Sequence, residues 1–447
     1  MMTSRIKNGF RNKHFLSLAG NGSMAALSIA TYALLYRLLP ETDMGNWVFF
    51  QFVFALLDAF RTGFLQTALI KFYSGSTDER KSAIAGSTWY IAIVITAFFA
   101  FVNLPLLLAL PSITDSGVYL LLKWFGLSLL FTLPFNVAFW ILQADERFDR
   151  ILVLRWINQG SFILYLVVLF FLHQINMEAI VYGFLGSSLL TSLIAVLAGW
   201  SKLFTLNQRT GETTKELFHF GKYSLGSYMG SSLLRSSDSI IIKFMIGPAA
   251  LAVYTLAQRI GEVVEILIRS FLGTAMPSMS AAYNRNDKEQ VIFLMKKYSG
   301  MLTLLLVPVI AILFFSADLL VLILGGKKYV NTEAANVLRI FMGFALIFPL
   351  DRFAGITLDI IHKPHLNFIK VILTLVINVV TDIIALKLFG NIYGAAVASF
   401  CTLTFGVCFG YFTLRKFLPF NINGVLRLGY SESKLLLSGM IRKKPVA

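Results

Sequence analysis

The chain has 447 residues, 57% of them hydrophobic, 14% aromatic and only 14% charged, and its mean hydropathy is +0.73. Apolar runs recur along its whole length, which excludes a chain of soluble enzyme domains and predicts one integral membrane domain. The formal net charge of +16 does not point to nucleic acid, because Lys and Arg gather in short connections and at the two ends, as in loops facing a cytoplasm.

In chain order, the basic start MMTSRIKNGFRNKHF is followed by an apolar run to about Leu39. That run is too long for the core of a signal peptide and predicts a retained first span. Runs of bilayer-crossing length predict about twelve transmembrane helices. They lie near 15–38, 47–70, 83–109, 118–142, 151–172, 178–200, 220–245, 251–276, 298–324, 335–361, 366–388 and 393–417. Arg5, Lys7, Arg11 and Lys13 begin a series of basic groups that continues in alternate loops, through Lys71, Arg80 and Lys81, Arg147 and Arg150, and Lys202, Arg209, Lys215 and Lys222. Arg285, Lys288, Lys296, Lys297 and Lys363 extend it, and Arg427, Lys434, Lys443 and Lys444 close it in the tail; Lys327 and Lys328 are the exception. The positive-inside rule then puts both termini in the cytoplasm.

The polar connection at mid-chain divides the sequence into an N-terminal six-helix bundle (1–200), a cytoplasmic linker (201–219), a C-terminal six-helix bundle (220–418) and a basic cytoplasmic tail (419–447). The halves resemble each other. A shift of about 207 positions sets Gln51 on Gln258, Asp58 on Glu265, Phe64 on Phe271, Thr67 on Thr274 and Lys81 on Lys288. With an even number of spans in each half, the two copies are expected to run in parallel, with a substrate between them.

The eighth span carries QRIGEVVEILIRSF, residues 258–271, with four ionisable side chains. A central charge costs about 2.5–3.5 kcal/mol on insertion scales, so the four together cost on the order of 10 kcal/mol in lipid. At 100° per residue Gln258, Arg259, Glu262, Glu265 and Arg269 share an arc of about 120°, so one stripe of this helix must line protein or water. The second span repeats the pattern with Gln51, Asp58 and Arg61, and the seventh carries Arg235 and Asp238; Lys123, Arg339, Asp351, Arg352, Asp359 and Asp382 are fainter examples. Pairing along the helix, Arg259 with Glu262 and Glu265 with Arg269, is the structural alternative. The functional reading is a hydrated cavity in which arginines hold an anionic headgroup while carboxylates exchange a coupling cation.

Other chemistry is sparse. There is no GxxxxGK[ST], GxSxG or HExxH motif, hence no phosphate loop, nucleophile elbow or zinc-protease site, and no catalytic or metal-binding residue is assigned. Cys401 and Cys408 share one helix face and are read as packing residues. Gly226 with Gly230 and Gly406 with Gly410 have the spacing of close helix packing. Pro105, Pro134, Pro308 and Pro349 fall within spans and predict kinks.

The stretch DSIIIKFMIGPAALAVYTLAQRIGEVVEILIRSFLGTAMPSMS, residues 238–280, and its counterpart RLLPETDMGNWVFFQFVFAL resemble the polysaccharide transporter branch of the multidrug/oligosaccharidyl-lipid/polysaccharide exporter superfamily. The resemblance rests on Asp238, Gly247, Tyr254 and Pro277, and on Arg37, Leu38, Pro40 and Gly45. Ala252 and Trp47 stand where the family commonly has Gly and Tyr. The resemblance implies an all-α polytopic membrane protein, with two parallel six-helix bundles in a V shape like the multidrug exporters of the superfamily. It implies a non-enzymatic flippase that moves polyprenyl-diphosphate-linked oligosaccharide across the bacterial inner membrane by alternating access, for surface polysaccharide such as O-antigen. It needs no cofactor other than H+ or Na+ as coupling ion. Its partners would be the lipid-linked oligosaccharide, membrane lipids and a polysaccharide polymerase or chain-length protein, with no nucleic acid. Arg61, Arg235, Arg259 and Arg269 would hold the diphosphate or sugar, and Asp58, Asp238, Glu262 and Glu265 would serve coupling or position those arginines. The competing expectations are a drug/cation antiporter of the same fold, a peptidoglycan-precursor flippase, and a membrane-embedded glycosyltransferase or polymerase.

Overall fold

The computed structural model describes residues 13–421 and 423–442. Of the basic ends, Arg5, Lys7, Arg11, Lys443 and Lys444 lie outside the described residues. Among the described residues every regular element is helical: α1 (Lys13–Leu38), α2 (Glu41–Tyr73), α3 (Asp78–Leu108), α4 (Ser116–Ala144), α5 (Phe148–Leu172), α6 (Met177–Leu197), α7 (Gly211–Met245) and α8 (Pro248–Asn284). They continue as α9 (Lys288–Phe315), α10 (Ala317–Gly325), α11 (Ala334–Phe344), α12 (Phe348–Ile360), α13 (Pro364–Phe389), α14 (Tyr393–Arg415) and α15 (Val425–Arg442).

Local chemistry sets several boundaries. Asp115, Asn176 and Asp287 each accept a backbone N–H of the first turn of α4, α6 and α9, satisfying donors that helix geometry leaves free. Gly247, at φ 125°, makes the sharp entry into Pro248 at the start of α8, a backbone conformation open to glycine. Beside Pro134 the Ser192 hydroxyl donates to the Phe131 carbonyl (2.5 Å) and accepts from the Phe135 N–H (3.1 Å), which satisfies backbone groups loosened by the proline. Pro349 follows the 3-10 turn Ala345–Ile347, where the tenth expected span breaks into α11 and α12.

Among the described residues nine helices are long and apolar enough to cross a membrane: α2–α6, α9, the run Ala334–Ile360, α13 and α14. The chain is therefore an all-α polytopic membrane protein. Helices α1, α7 and α8 occupy the positions of the other three expected spans. On composition α7 and α8 fall short for one reason: polar and charged residues interrupt their apolar runs.

The chain forms two compact units, Met1–Ser236 and Ser237–Ala447. Lipid is as apolar as leucine, so membrane helices associate through close packing and hydrogen bonds rather than the hydrophobic effect. In the first unit α2, α3 and α4 pack around Leu65, Leu69, Trp89, Val137 and Trp140, and α6 packs on α4. A Cβ at Gly63 would lie 2.7 Å from Tyr228, and one at Gly221 would lie 2.6 Å from the Phe64 carbonyl, so the first part of α7 lies close along α2. The 3-10 segment Leu203–Gln208 sits on α3 at Gly86, and Trp89 donates to the Ser201 carbonyl at 2.7 Å. Residues 201–219, read from the sequence as a linker, are thus seated on the first unit, and the division between units falls inside α7.

In the second unit α13 packs along α14, and α8 packs on α9, α11 and α12. Gly406 and Gly410 face α12: an added Cβ would stand 2.8 Å from Asp351 Oδ1 and 2.9 Å from Ala354 Cβ. The expected tail contains α15, whose Gly429 crosses Gly300 of α9 backbone to backbone, with Lys297 paired to Glu432.

Candidate functional site

In the first unit the α2 stripe closes on itself. Arg61 is 1% exposed. Its guanidinium donates to Asp58 twice (3.0 and 2.5 Å), to the Thr96 hydroxyl (3.2 Å), to the Leu129 carbonyl (2.8 Å) and to the Thr132 hydroxyl (2.9 Å). A guanidinium has five N–H donors, so none is left for a ligand. Asp58 is 20% exposed and also accepts from Thr62 and Asn136. Among these residues the carboxylate, not the arginine, reaches the surface of the unit. Arg235, on α7, is exposed and donates to Ser232 at 3.1 Å.

In the second unit the α8 stripe remains open. Ala257, Ile260, Val264 and Ile268 form its buried edge. Beside them the side chains of Arg259, Glu262, Glu265 and Arg269 are 30%, 46%, 31% and 63% exposed. Glu262 stands between the two arginines, 3.4 Å from Arg259 and 3.7 Å from Arg269, both longer than a strong charge-assisted bond. Glu265 pairs at 2.8 Å with Arg352 of α12. Arg269 lies 3.4 Å from the backbone carbonyl of Glu265 rather than pairing with its carboxylate, so one of the two intrahelical pairs expected as the structural alternative is absent. Val263 and Ile266, about 37% and 38% exposed, flank Arg259 on the same open side of the helix. One helix thus carries a packed edge and an open side on which ionic and apolar residues interleave.

Asp238 belongs to a different cluster, sealed inside the second unit. Its carboxylate accepts from Tyr254 (2.8 Å), Ser399 (3.4 Å) and Asn378 (2.6 Å). The same Asn378 nitrogen donates to Asp382 at 2.8 Å. Asp382 is 0% exposed, and its second oxygen, Oδ1, is buried without a hydrogen-bond partner. Two carboxylates joined by one neutral amide in a dry interior carry a desolvation cost that a proton or a monovalent cation would relieve. Asp382 is only a faint signal in the sequence, and Asn378 is none. Their i,i+4 spacing, opposite Asp238, was the available clue.

The fainter charges are paired. Lys123 binds Glu178 at 2.6 Å, Arg339 binds Asp318, Asn367 donates to Asp359, and the buried Lys370 binds Asp351 at 2.5 Å. Cys401 and Cys408 are free thiols, exposed on α14 rather than packed in a core: the face they share is one that the surrounding helices leave uncovered.

The nine apolar helices of spanning length define a polytopic membrane protein, and its helices carry ionic groups away from the connections. Residues 34–334 match the family described as polysaccharide biosynthesis protein, and the chain belongs to that family. It is 27% identical over 236 residues to a protein of Haloferax volcanii named a probable low-salt glycan biosynthesis flippase, Agl15, covering 52% of this chain and 48% of that protein. The match therefore spans about half the length of that relative. It is 24% identical over 380 residues to a protein of Escherichia coli strain K12 provisionally named an O-antigen transporter, covering 81% of this chain and 86% of that one. Two solved structures share the fold. The lipid II flippase MurJ, in an inward closed conformation, has a TM-score of 0.73 at 15% identity, over 97% of this chain and 94% of its own. An inward-facing multidrug resistance MATE family transporter has a TM-score of 0.72 at 19% identity, over 88% and 95%.

Proposed function

We propose that the protein is a flippase that carries polyprenyl-diphosphate-linked oligosaccharide across a cytoplasmic membrane for surface polysaccharide synthesis. The observation that carries this reading is the open ionic face of α8, joined to membership of the polysaccharide biosynthesis family. Charges left partly exposed along α8, with Glu262 at 3.4 Å from Arg259 and 3.7 Å from Arg269, fit a hydrated path better than a dry helix contact. In this reading the chain spans the membrane twelve times in two six-helix bundles, with both termini cytoplasmic. The bundles alternate access, and a polymerase or chain-length protein receives the product.

Arg259, Arg269 and Arg235 are assigned to the diphosphate or sugar. Arg61 is reassigned from ligand binding to the positioning of Asp58, because its donors are already used. Glu262 positions Arg259 and Arg269, Glu265 is held by Arg352, and Asp238 with Asp382 holds the coupling H+ or Na+. An ion-coupled drug/cation antiporter is the second reading, favoured by the fold shared with a multidrug transporter.

The test is reconstitution of purified protein into liposomes with defined lipid-linked sugars and, separately, with a cationic dye. The parent protein is expected to flip the sugars, and the Arg259→Ala, Arg269→Ala double variant to lose that activity at unchanged membrane level. Unchanged flipping by the double variant rejects the site; dye export without sugar transport rejects the flippase reading.

A further inference from the structure

The first unit contains a second feature that the ionic residues do not use: a cavity of about 560 Å³ between α2, α3 and α7. Its walls include Phe60, Phe64, Phe98, Phe99 and Phe218, with Tyr90 and Thr214 as its few polar groups. The rings brace one another across helices, Phe60 on Phe99 at 5.6 Å and Phe64 on Phe218 at 5.3 Å. Tyr90 and Phe98 are 39% and 61% exposed, so the furrow is open rather than sealed. Against its walls stands the Arg209 guanidinium, 4.0 Å from the centre of the Tyr90 ring. That arginine is held there because Gly86 leaves room for the backbone at Thr205 and Arg209.

The volume lies in the range of ligand pockets, about 300–1,000 Å³. Inside a bilayer an apolar chain gains nothing from leaving lipid, so an apolar furrow selects by shape and dispersion contact, and by charge at its mouth. Aromatic walls with a cation at one of the rings complement a bulky branched chain that ends in a polyanion. We infer that this furrow receives the isoprenoid chain of the lipid-linked substrate, with Arg209 meeting its diphosphate. The inference rests on the flippase reading for the identity of the substrate. It assigns a docking step on the first unit, ahead of transfer to the arginines named above.

Photocrosslinking of the full chain in liposomes with a benzophenone-bearing polyprenyl diphosphate, mapped by mass spectrometry, tests it. Labelling is expected within residues 90–99 and at Phe60 or Phe218. Unlabelled polyprenyl diphosphate should compete it away, and a molar excess of phosphatidylglycerol should not. Val94→Trp, which fills the furrow from an exposed position, should lower labelling about tenfold. Arg209→Gln should weaken competition by polyprenyl diphosphate several-fold and leave competition by uncharged polyprenol unchanged. Equal competition by phosphatidylglycerol identifies an ordinary lipid furrow and overturns the inference, as does labelling that Val94→Trp leaves intact. Flipping is measured on the same liposomes. Absent flipping with furrow labelling competed by polyprenyl diphosphate rejects the transport reading while supporting the furrow, and normal flipping with labelling only elsewhere rejects the furrow alone.

Discussion

Replacing Arg61 with Met separates a structural arginine from a ligand-binding one. The guanidinium is 1% exposed and makes five hydrogen bonds, two of them to Asp58. Thr96 and Thr132 retain their own bonds to the Ala92 and Ser128 carbonyls, so the group that loses its counter-ion is the Asp58 carboxylate, left with Thr62 and Asn136 as donors. Breaking a buried ion pair from one side costs about 3–5 kcal/mol, whereas replacing both partners by neutral groups is often nearly free. Arg61→Met is therefore expected to destabilise the first unit by about 3–5 kcal/mol, and Asp58→Asn added to it to restore roughly 2 kcal/mol or more. For a unit of this size 1 kcal/mol moves the midpoint by about 2–4 °C. Thermal unfolding in detergent should thus show a fall on the order of 10 °C for the single variant and a partial return for the double. A single variant that melts within a few degrees of the parent yet no longer flips lipid-linked sugar would refute the positioning role and return Arg61 to the ligand.

Three further outcomes are expected. Asp382→Asn leaves the Asn378 bridge an acceptor and removes one of the two sealed charges, so the fold should persist while transport in proteoliposomes loses its dependence on the H+ or Na+ gradient; retained dependence would move the coupling site elsewhere. Gly429→Ala would press a methyl to within 2.3 Å of the Gly300 carbonyl carbon. It should release α15 from α9 and expose residues 425–435 to limited proteolysis, with Gly273→Ala, which meets nothing within 4 Å, as the control. Lys370→Met should cost about 3–5 kcal/mol by isolating Asp351, and Lys370→Met with Asp351→Asn distinctly less; equal midpoints for the two variants would show that the buried pair is not coupled.

The helix positions were legible because bilayer thickness sets a minimum apolar length, and the runs at 47–70, 83–109 and 118–142 reappear as α2, α3 and α4. The α8 stripe was legible because 100° per residue is a local rule. Nothing local announced that the tenth span breaks after Phe344, that α7 belongs to the first unit up to Ser236, or that residues 203–208 sit on α3 at Gly86. Each depends on which surface a distant segment presents.

From its amino-acid order alone this protein is a polytopic helical membrane protein with charges confined to a few helix faces, since chain-local periodicity and hydropathy suffice for both. Only the tertiary structure decided which charges are spent and which remain open. Arg61 is closed off by groups 35 to 71 residues away, Asp238 is joined to Asp382 through an asparagine 140 residues on, and Arg269 stays exposed with Arg259 partly so. The state of a buried ion is set by partners that packing brings to it, and those partners leave no mark in its own stretch of sequence.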